Sequence, residues 1–170
     1  NDSVSVIQVK DGNDVDVDAK LAEISVGKEP RYVAITPDDQ AAYVTNAVDG
    51  SVSVIDLAAA TPKLKGNPIA VGSEPRGIAI TPNGTYAFVA NHTEGSVSVI
   101  QIRTNQVINT VYVGGNPMAV TISNDGDLDD RDETVYVTRF FSELADPVNR
   151  PDGFNDAKRG VIDYFGVGAA

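Results

Sequence analysis

The stretch Ser51-Val52-Ser53-Val54-Ile55 decides the fold, because it occurs three times along the chain. The other copies are Ser3-Val4-Ser5-Val6-Ile7 and Ser96-Val97-Ser98-Val99-Ile100. Successive copies begin 48 and then 45 residues apart, and a period of about 20–50 residues indicates a fold that repeats one supersecondary unit. The sequence therefore predicts a repeat protein.

Three other segments recur in register with this stretch and complete the repeating unit. One carries Val-Gly and then Pro, and one carries the Pro, Asn, Asp or Gly of a tight turn. The third is β-branched and aromatic, as strands are. Each unit is therefore predicted to be four short strands joined by tight loops. The segments are Val26–Pro30, Val71–Pro75 and Val113–Pro117; Ile35–Asp39, Ile80–Gly84 and Ile122–Gly126; and Tyr43–Asn46, Phe88–Asn91 and Tyr136–Arg139.

The segments Tyr43-Val44-Thr45-Asn46, Gly50–Asp56 and Pro75–Gly84 resemble the YVTN family of β-propeller repeats, the surface-layer and lactonase-like type. The resemblance covers nearly the whole chain. In that family a blade consists of strand A (Pro to Thr-Pro), strand B (Tyr-Val-Thr-Asn), strand C (Ser-Val-Ser-Val-Ile) and strand D, which ends at Val-Gly. The resemblance therefore implies that the chain reads C and D, then A to D twice, and then A to C.

The fold class predicted here is all-β, a β-propeller of four-stranded antiparallel blades. Small Ser alternating with Val suits strands whose two faces are both packed against neighbouring blades. We predict one propeller segment over residues 1–170, with about three to three and a half blades in a partial ring. Its parts are 1–27 (strands C and D), 28–72 and 73–114 (full blades) and 115–170 (strands A, B and C).

The number of predicted blades leaves the ring open. Propellers typically need about 4 to 8 blades, so open blade faces and strand edges are expected at both ends of this segment. We therefore expect either a piece of a longer polypeptide that supplies the remaining blades, or a ring completed by a protein partner or by further copies of the chain.

The composition is acidic and lacks cysteine. Lys and Arg number 13 against 24 Asp and Glu, which gives a net charge of −11 and disfavours nucleic acid and anionic membranes as partners. No apolar run approaches the roughly 20 residues of a membrane helix. We predict an exported protein, located extracellularly, at the cell surface or in the periplasm.

The turn between strands A and B is longer in the last unit, and most of the additional residues are acidic. It is six residues longer than in the unit before, and four of the six are Asp. Carboxylates at alternate positions of a curved loop can direct several oxygens at one Ca²⁺ ion. Two interpretations remain open, a Ca²⁺ site and a solvated acidic loop. The candidate ligands are Asp125, Asp127, Asp129 and Glu133. A second acidic expansion, residues 11–18, is better explained as a solvated hairpin tip.

The connection between strands B and C is enlarged to residues 140–159 in the last unit, and long loops in compact domains are often functional. In a propeller it would lie on the same face as the loops from strand D to strand A. We predict that ligands or partners bind to this face, although the loop could equally cover an exposed blade or contact a neighbouring domain. The candidate residues are Glu29, Arg31, Glu74, Arg76, Phe140 and Phe141.

Evidence for enzymatic chemistry in the sequence is thin. The single histidine, His92, lies in a predicted turn, where a surface role is the simpler interpretation, and the nucleophile-turn and phosphate-loop motifs are absent. We assign no catalytic residue and no cofactor other than Ca²⁺. The first hypothesis is a non-enzymatic propeller that serves as an extracellular interaction scaffold. The alternative is that the chain is part of a propeller enzyme or redox protein, similar to lactonases or quinone-linked dehydrogenases. Its active centre would then lie outside these residues, on other blades or on another domain.

Overall fold

The computed structural model describes residues 2–10, 16–127, 129–130, 132–140, 143–144, 158–159 and 162–167. Within these ranges the regular secondary structure consists of β-strands without an α-helix, which confirms the predicted all-β class. None of the described residues forms a helix long and apolar enough to cross a membrane. The strands are β1 (Ser3–Lys10), β2 (Asp16–Ser25), β3 (Pro30–Ile35), β4 (Ala41–Asn46), β5 (Ser51–Asp56), β6 (Lys63–Leu64), β7 (Ile69–Ala70), β8 (Pro75–Ile80), β9 (Tyr86–Asn91), β10 (Ser96–Gln101), β11 (Gln106–Tyr112), β12 (Pro117–Ile122), β13 (Thr134–Arg139), β14 (Glu143–Leu144), β15 (Lys158–Arg159) and β16 (Ile162–Gly166).

These strands form successive antiparallel sheets that correspond to blades. Blade 1 contains β1 and β2, and blade 2 contains β3, β4 and β5, with both β6 and β7 paired to β5. Blade 3 contains β8, β9, β10 and β11 in that spatial order, and blade 4 contains β12, β13 and β16. A separate two-stranded sheet pairs β14 with β15. The arrangement is the meander of a propeller, in which consecutive strands are neighbours.

The B and C strands pair in the same register in blades 2 and 3. Asn46 lies opposite Ser51 in blade 2, and Asn91 lies opposite Ser96 in blade 3. Because a slip by one residue would exchange the two faces of a strand, the repeated register places equivalent side chains on equivalent faces of each blade.

The core consists of apolar layers between consecutive blades. Strand β4 shows how one strand serves two layers, since Tyr43 packs into the layer toward blade 3, whereas Ala42 and Val44 pack toward blade 1. The layer between blades 3 and 4 is built in the same way around Phe88 and Val137. Both faces of the sheets are therefore buried, as the Ser-Val alternation predicted.

In blades 2 and 3 the aromatic residue of strand B reaches the next blade. The hydroxyl of Tyr43 donates a hydrogen bond to Asn105 Oδ1 of blade 3 (2.5 Å), and burial together with the charge of Asp38 raises the pKa of Tyr43 to about 12. The ring of Phe88 packs on Phe165 of blade 4, with 5.8 Å between the ring centroids. These contacts tie the blades to one another.

The A strands lie innermost, because β8 contacts both β3 and β12. Gly77 permits a close approach between β8 and β12. A Cβ atom on Gly77 would lie 2.7 Å from the Cα of Ala119 and 2.9 Å from the carbonyl oxygen of Met118. The neighbouring A strands carry Tyr32 and Ala119 at the equivalent positions, so glycine is required in blade 3 alone.

The face of blade 1 is open among the described residues. Ile7 is 59% exposed, whereas its repeat equivalents Ile55 and Ile100 are 1% and 0% exposed. In blades 2 and 3 a B strand pairs with the second edge of strand C, and the described residues provide no such strand for β1. This open face agrees with the partial ring expected from the sequence.

Candidate functional site

One face of the propeller carries the loops from strand D to strand A and the turns from strand B to strand C. We call these the D–A loops and the B–C turns. In three blades the first residue after strand B donates its backbone N–H to the carbonyl oxygen of the residue before strand A. These donors therefore occupy equivalent positions with different side chains. The pairs are Ala47 with Glu29 (2.9 Å), His92 with Glu74 (3.0 Å) and Phe140 with Asn116 (2.9 Å).

A buried asparagine holds the B–C turn of blade 3 in place. Asn91 Nδ2 donates to Ser96 Oγ (2.9 Å) and Ser98 Oγ (2.8 Å), while Glu94 accepts the backbone N–H of Ser73 (3.1 Å). A Cβ on Gly72 would lie 2.1 Å from Glu94 Oε2 and 2.6 Å from the Asn91 amide. The recurrent Gly, Asn and Ser residues thus form a rigid support for the side chains above them.

Two of the candidate ion pairs form as neighbours on this face. Arg31 binds Glu29 through Nη2, and Arg76 Nη2 lies 2.5 Å from Glu74 Oε1. Both glutamates have positive φ, 58° and 55°, a conformation that ends the D–A loop just before the proline of strand A. Because the pair recurs in two blades, it belongs to the repeat.

Glu74 accepts more hydrogen bonds than its equivalent in blade 2. Its Oε2 receives the hydroxyl of Thr93 (2.5 Å) and lies 3.2 Å from His92 Nδ1. Hydrogen bonds from Thr93 and Arg76, followed by His92 and the charge of Arg76, lower the pKa of Glu74 to about 2 against the opposing effect of burial. The carboxylate is therefore ionised throughout the physiological range.

His92 and Thr93 distinguish blade 3 from blade 2, which carries Ala47 and Val48 at the same positions. A surface role is the simpler interpretation of His92 from the sequence, but its side chain is only 14% exposed and paired with Glu74. The signal that could have revealed it was this departure from the repeat. Blade 3 is the centre of the candidate site.

Apolar groups flank the histidine. The ring of Phe140, in blade 4, lies 6.2 Å from the His92 ring between centroids, and 62% of Phe140 is exposed. The sulfur of Met118 lies 3.5 Å from Arg76 Nη1. The other aromatic candidate, Phe141, and most of the predicted insertion 140–159 lie outside the described residues.

The arrangement of His92 and Glu74 is suited to acid–base chemistry. A histidine whose Nδ1–H is donated to a carboxylate keeps the lone pair of Nε2 available to accept a proton. Within the described part of the chain, the hydrogen bond of the His92 ring is the one between Nδ1 and Glu74 Oε2, and Nε2 has no partner. The site can therefore take a proton from a bound water molecule.

We expect Thr93→Val to raise the pKa of Glu74 from about 2 toward its ordinary value of 4.5, because the largest of the stabilising hydrogen bonds is removed. A group with a depressed pKa stabilises the fold above its unfolded pKa, and that contribution is lost as the pH falls through the folded pKa. The variant should therefore lose this stabilisation at a higher pH than the unmodified protein does.

Carbon-detected NMR titration of the Glu74 carboxylate would measure this shift directly. Thr110→Val, in the outer strand β11, provides a control with the same change of side chain. An unshifted Glu74 in the Thr93 variant would mean that the hydroxyl is not responsible for the low pKa.

The enlarged A–B turn of blade 4 brings together a different set of carboxylates from the one predicted. Oxygens of Asp125, Asp127 and Asp132 lie within 4.8 Å of one another, and all three residues are exposed. Glu133 is buried and instead accepts hydrogen bonds from the hydroxyl of Ser123 and the N–H of Asp125 (3.3 Å). The structure thus groups two of the four predicted ligands with Asp132.

The carboxylates of this turn repel one another. A hydrogen bond from its own backbone lowers the pKa of Asp132, but burial and the charges of Asp125, Asp127 and Asp129 outweigh it and leave the pKa raised. A cation could relieve this repulsion, and so could water. The Ca²⁺ hypothesis stays a prediction, and Asp132 joins the residues that a test should change. The other acidic segment, 11–18, lies largely outside the described residues, which begin again at residue 16.

If Ca²⁺ binds here, adding it should raise the melting temperature, since a ligand at 100 times its Kd adds about 2.7 kcal/mol to the stability of the native state. Asp127→Asn combined with Asp132→Asn should abolish that response in a thermal unfolding experiment. Asp39→Asn, in the shorter A–B turn of blade 2, should retain it. A full response in the double variant would exclude this turn as the site.

Comparison with known proteins places the chain within a family. Residues 2–114 match the family model described as "Lactonase, 7-bladed beta-propeller". A search of curated protein sequences gives no significant match. The YVTN resemblance is not tested by these findings and stays a prediction. The family match favours the hypothesis of a propeller enzyme over that of a non-enzymatic interaction scaffold.

Solved structures similar to this chain are propellers of greater length. Hydrazine synthase of Kuenenia stuttgartiensis is 28% identical, with a TM-score of 0.63 over 85% of this chain and 35% of the other. A candidate 6-phosphogluconolactonase of Bacteroides fragilis is 18% identical (TM-score 0.59, 69% and 35%). A second, of Bacteroides uniformis, is 12% identical (TM-score 0.62, 97% and 52%).

The chain thus spans about a third to a half of the length of these structures. The matches below 25% identity show the fold alone, whereas the family model covers residues 2–114 of the 170, about two thirds of the chain. On this match, the chain belongs to the seven-bladed β-propeller lactonase family.

Proposed function

We propose that this protein hydrolyses a lactone on the face that carries His92, with His92 as the general base and Glu74 as the residue that positions it. The observation that carries the proposal is the contact between Glu74 Oε2 and His92 Nδ1 at 3.2 Å. Membership of a lactonase family supports the reaction class. The departure of blade 3 from the repeat supports the choice of residues.

In the proposed reaction, Nε2 of His92 removes a proton from a water molecule as the water oxygen attacks the carbonyl carbon of the lactone ring. The bond between that carbon and the ring oxygen then breaks. The ring oxygen takes the proton from His92, and a hydroxy acid leaves. Ionised Glu74 stabilises the imidazolium that exists between these steps, as a carboxylate does in other histidine-dependent hydrolases.

Thr93 and Arg76 act on this pair through Glu74. Their hydrogen bonds occupy the carboxylate from two sides and keep it ionised. An ionised carboxylate accepts the N–H of His92 and fixes which ring nitrogen carries the proton. Arg76 and Thr93 are therefore positioning residues in this proposal.

Replacing the histidine provides the test. His92→Gln should lower kcat for lactone hydrolysis by roughly 10²–10⁴-fold, the usual contribution of general acid–base catalysis, while KM changes less. Hydrolysis can be followed by the acid that it releases in a weakly buffered solution.

Lys63→Gln, an exposed change in the outer strand β6, should leave the rate unchanged, and thermal unfolding should show that every variant is folded. A folded His92→Gln variant with the kcat of the unmodified protein would overturn the assignment of the base. If the unmodified protein hydrolyses no lactone, the proposal fails as a whole and the interaction-scaffold hypothesis becomes the leading one.

A further inference from the structure

Two arginines of this face already have counter-ions. Arg76 is 23% exposed and donates to Glu74, and Arg31 is paired with Glu29 in the same way. The net charge of the whole chain is −11, which repels anionic ligands at a distance. A phosphate group beside His92 would therefore meet the guanidinium of Arg76 with its charge already balanced by the carboxylate of Glu74.

Among the described residues, the other cations on this face lie in blades 2 and 4. Lys28 is exposed in the D–A loop of blade 2, where its backbone N–H is held by Asp49 (2.8 Å). Arg139 packs against the D–A loop of blade 4, since a Cβ on Gly115 would lie 2.6 Å from its Cδ. In the part of the chain that the structure describes, these two side chains are the further cations that a phosphorylated substrate could use on this face.

The group that blade 4 presents beside His92 is apolar and accessible. Phe140 occupies the position of Ala47 and His92 in the other blades, and its exposed ring lies at 6.2 Å and 60° to the imidazole. The faces of aromatic rings pack favourably against other rings and C–H groups. An exposed phenyl group beside a base is suited to a substrate with an apolar face.

We propose that the site at His92 takes an uncharged lactone with an apolar or aromatic substituent that packs on Phe140, and that it discriminates against phosphorylated sugar lactones. This inference rests on the proposed function. It distinguishes this chain from the similar structures that are described as candidate 6-phosphogluconolactonases.

The test compares three substrates with the purified protein: γ-phenyl-γ-butyrolactone, unsubstituted γ-butyrolactone and the phosphorylated lactone of gluconic acid. We expect kcat/KM to be highest for the phenyl lactone, about tenfold above the unsubstituted one, which corresponds to the energy of one aromatic contact. For the phosphorylated lactone it should be lower still. Added salt should leave the values for both neutral lactones unchanged.

Phe140→Ala should lower kcat/KM for the phenyl lactone about tenfold and leave the unsubstituted lactone unaffected. Phe140→Leu, which keeps an apolar side chain, should restore part of the loss. Equal effects of Phe140→Ala on both neutral lactones would overturn the proposed contact.

Preference for the phosphorylated lactone, lost in Lys28→Gln or Arg139→Gln, would overturn the inference while leaving the proposed hydrolysis intact. Failure to hydrolyse any of the three would contradict the proposed function itself, so the two failures are distinguishable.

Discussion

Phe88→Ala is expected to lower the free energy of unfolding by about 3–5 kcal/mol, the usual effect of truncating a fully buried phenylalanine. Phe88 is completely buried in the layer between blades 3 and 4. Its ring contacts Phe165 at 5.8 Å and 55°, so the change removes an aromatic contact and leaves a cavity. Because domains are stable by only about 5–15 kcal/mol, the loss should be visible as a large shift in a urea unfolding curve.

The repeat provides a matched control at Tyr136, which occupies the same position of strand B in blade 4. Tyr136 is 41% exposed, so Tyr136→Ala removes less buried surface and should cost clearly less. Similar losses at both positions would mean that burial between blades 3 and 4 does not determine the effect.

Gly77→Ala is expected to destabilise the protein by about 1–3 kcal/mol, although alanine is normally the better residue in a strand. The new Cβ would lie 2.7 Å from the Cα of Ala119, 2.9 Å from the carbonyl oxygen of Met118 and 3.0 Å from the N atom of Val120. All three are backbone atoms of β12, which cannot rotate away as a flexible side chain would. Strands β8 and β12 would have to separate.

Gly166→Ala is the control for this change, because Gly166 also lies in a strand of this propeller and no atom comes within 4 Å of a Cβ built there. Its φ is outside the left-handed region, so the added methyl group should leave stability unchanged or raise it slightly by restricting the unfolded chain. The two Gly→Ala changes are thus expected to have opposite signs in the same unfolding experiment. A neutral result at Gly77 would contradict the close packing of the A strands.

Most of the fold could be predicted because the strand and turn patterns are local and recur in each repeat. The Ser-Val alternation of β5 and β10 indicates strands packed on both faces. In the structure the first five residues of each strand are buried on both faces. The turn residues mark where each strand ends. The repeat also supplies its own check, since the same segments must form the same elements in every blade.

In the acidic A–B turn of blade 4, spacing along the chain was not enough to predict which carboxylates lie together. Alternation predicted that Asp125, Asp127 and Asp129 would act together, but the backbone curls through hydrogen bonds from the N–H of Asp127 to Asp125 (3.1 Å) and of Asp129 to Asp127 (2.7 Å). Asp132 is thereby brought next to the first two carboxylates. A turn of this length has no fixed period, so proximity could not be derived from sequence.

By itself the sequence determined the all-β class, the length of the repeat and the turns that separate the strands. All of these follow from local periodicity and from turn chemistry. The tertiary structure alone decided that Thr93, His92 and Arg76 converge on one carboxylate, and that Phe140 of the next blade lies beside the histidine. Such contacts depend on how the B–C turn packs against the D–A loop and on the distance between blades, and neither is encoded in the spacing of residues along the chain.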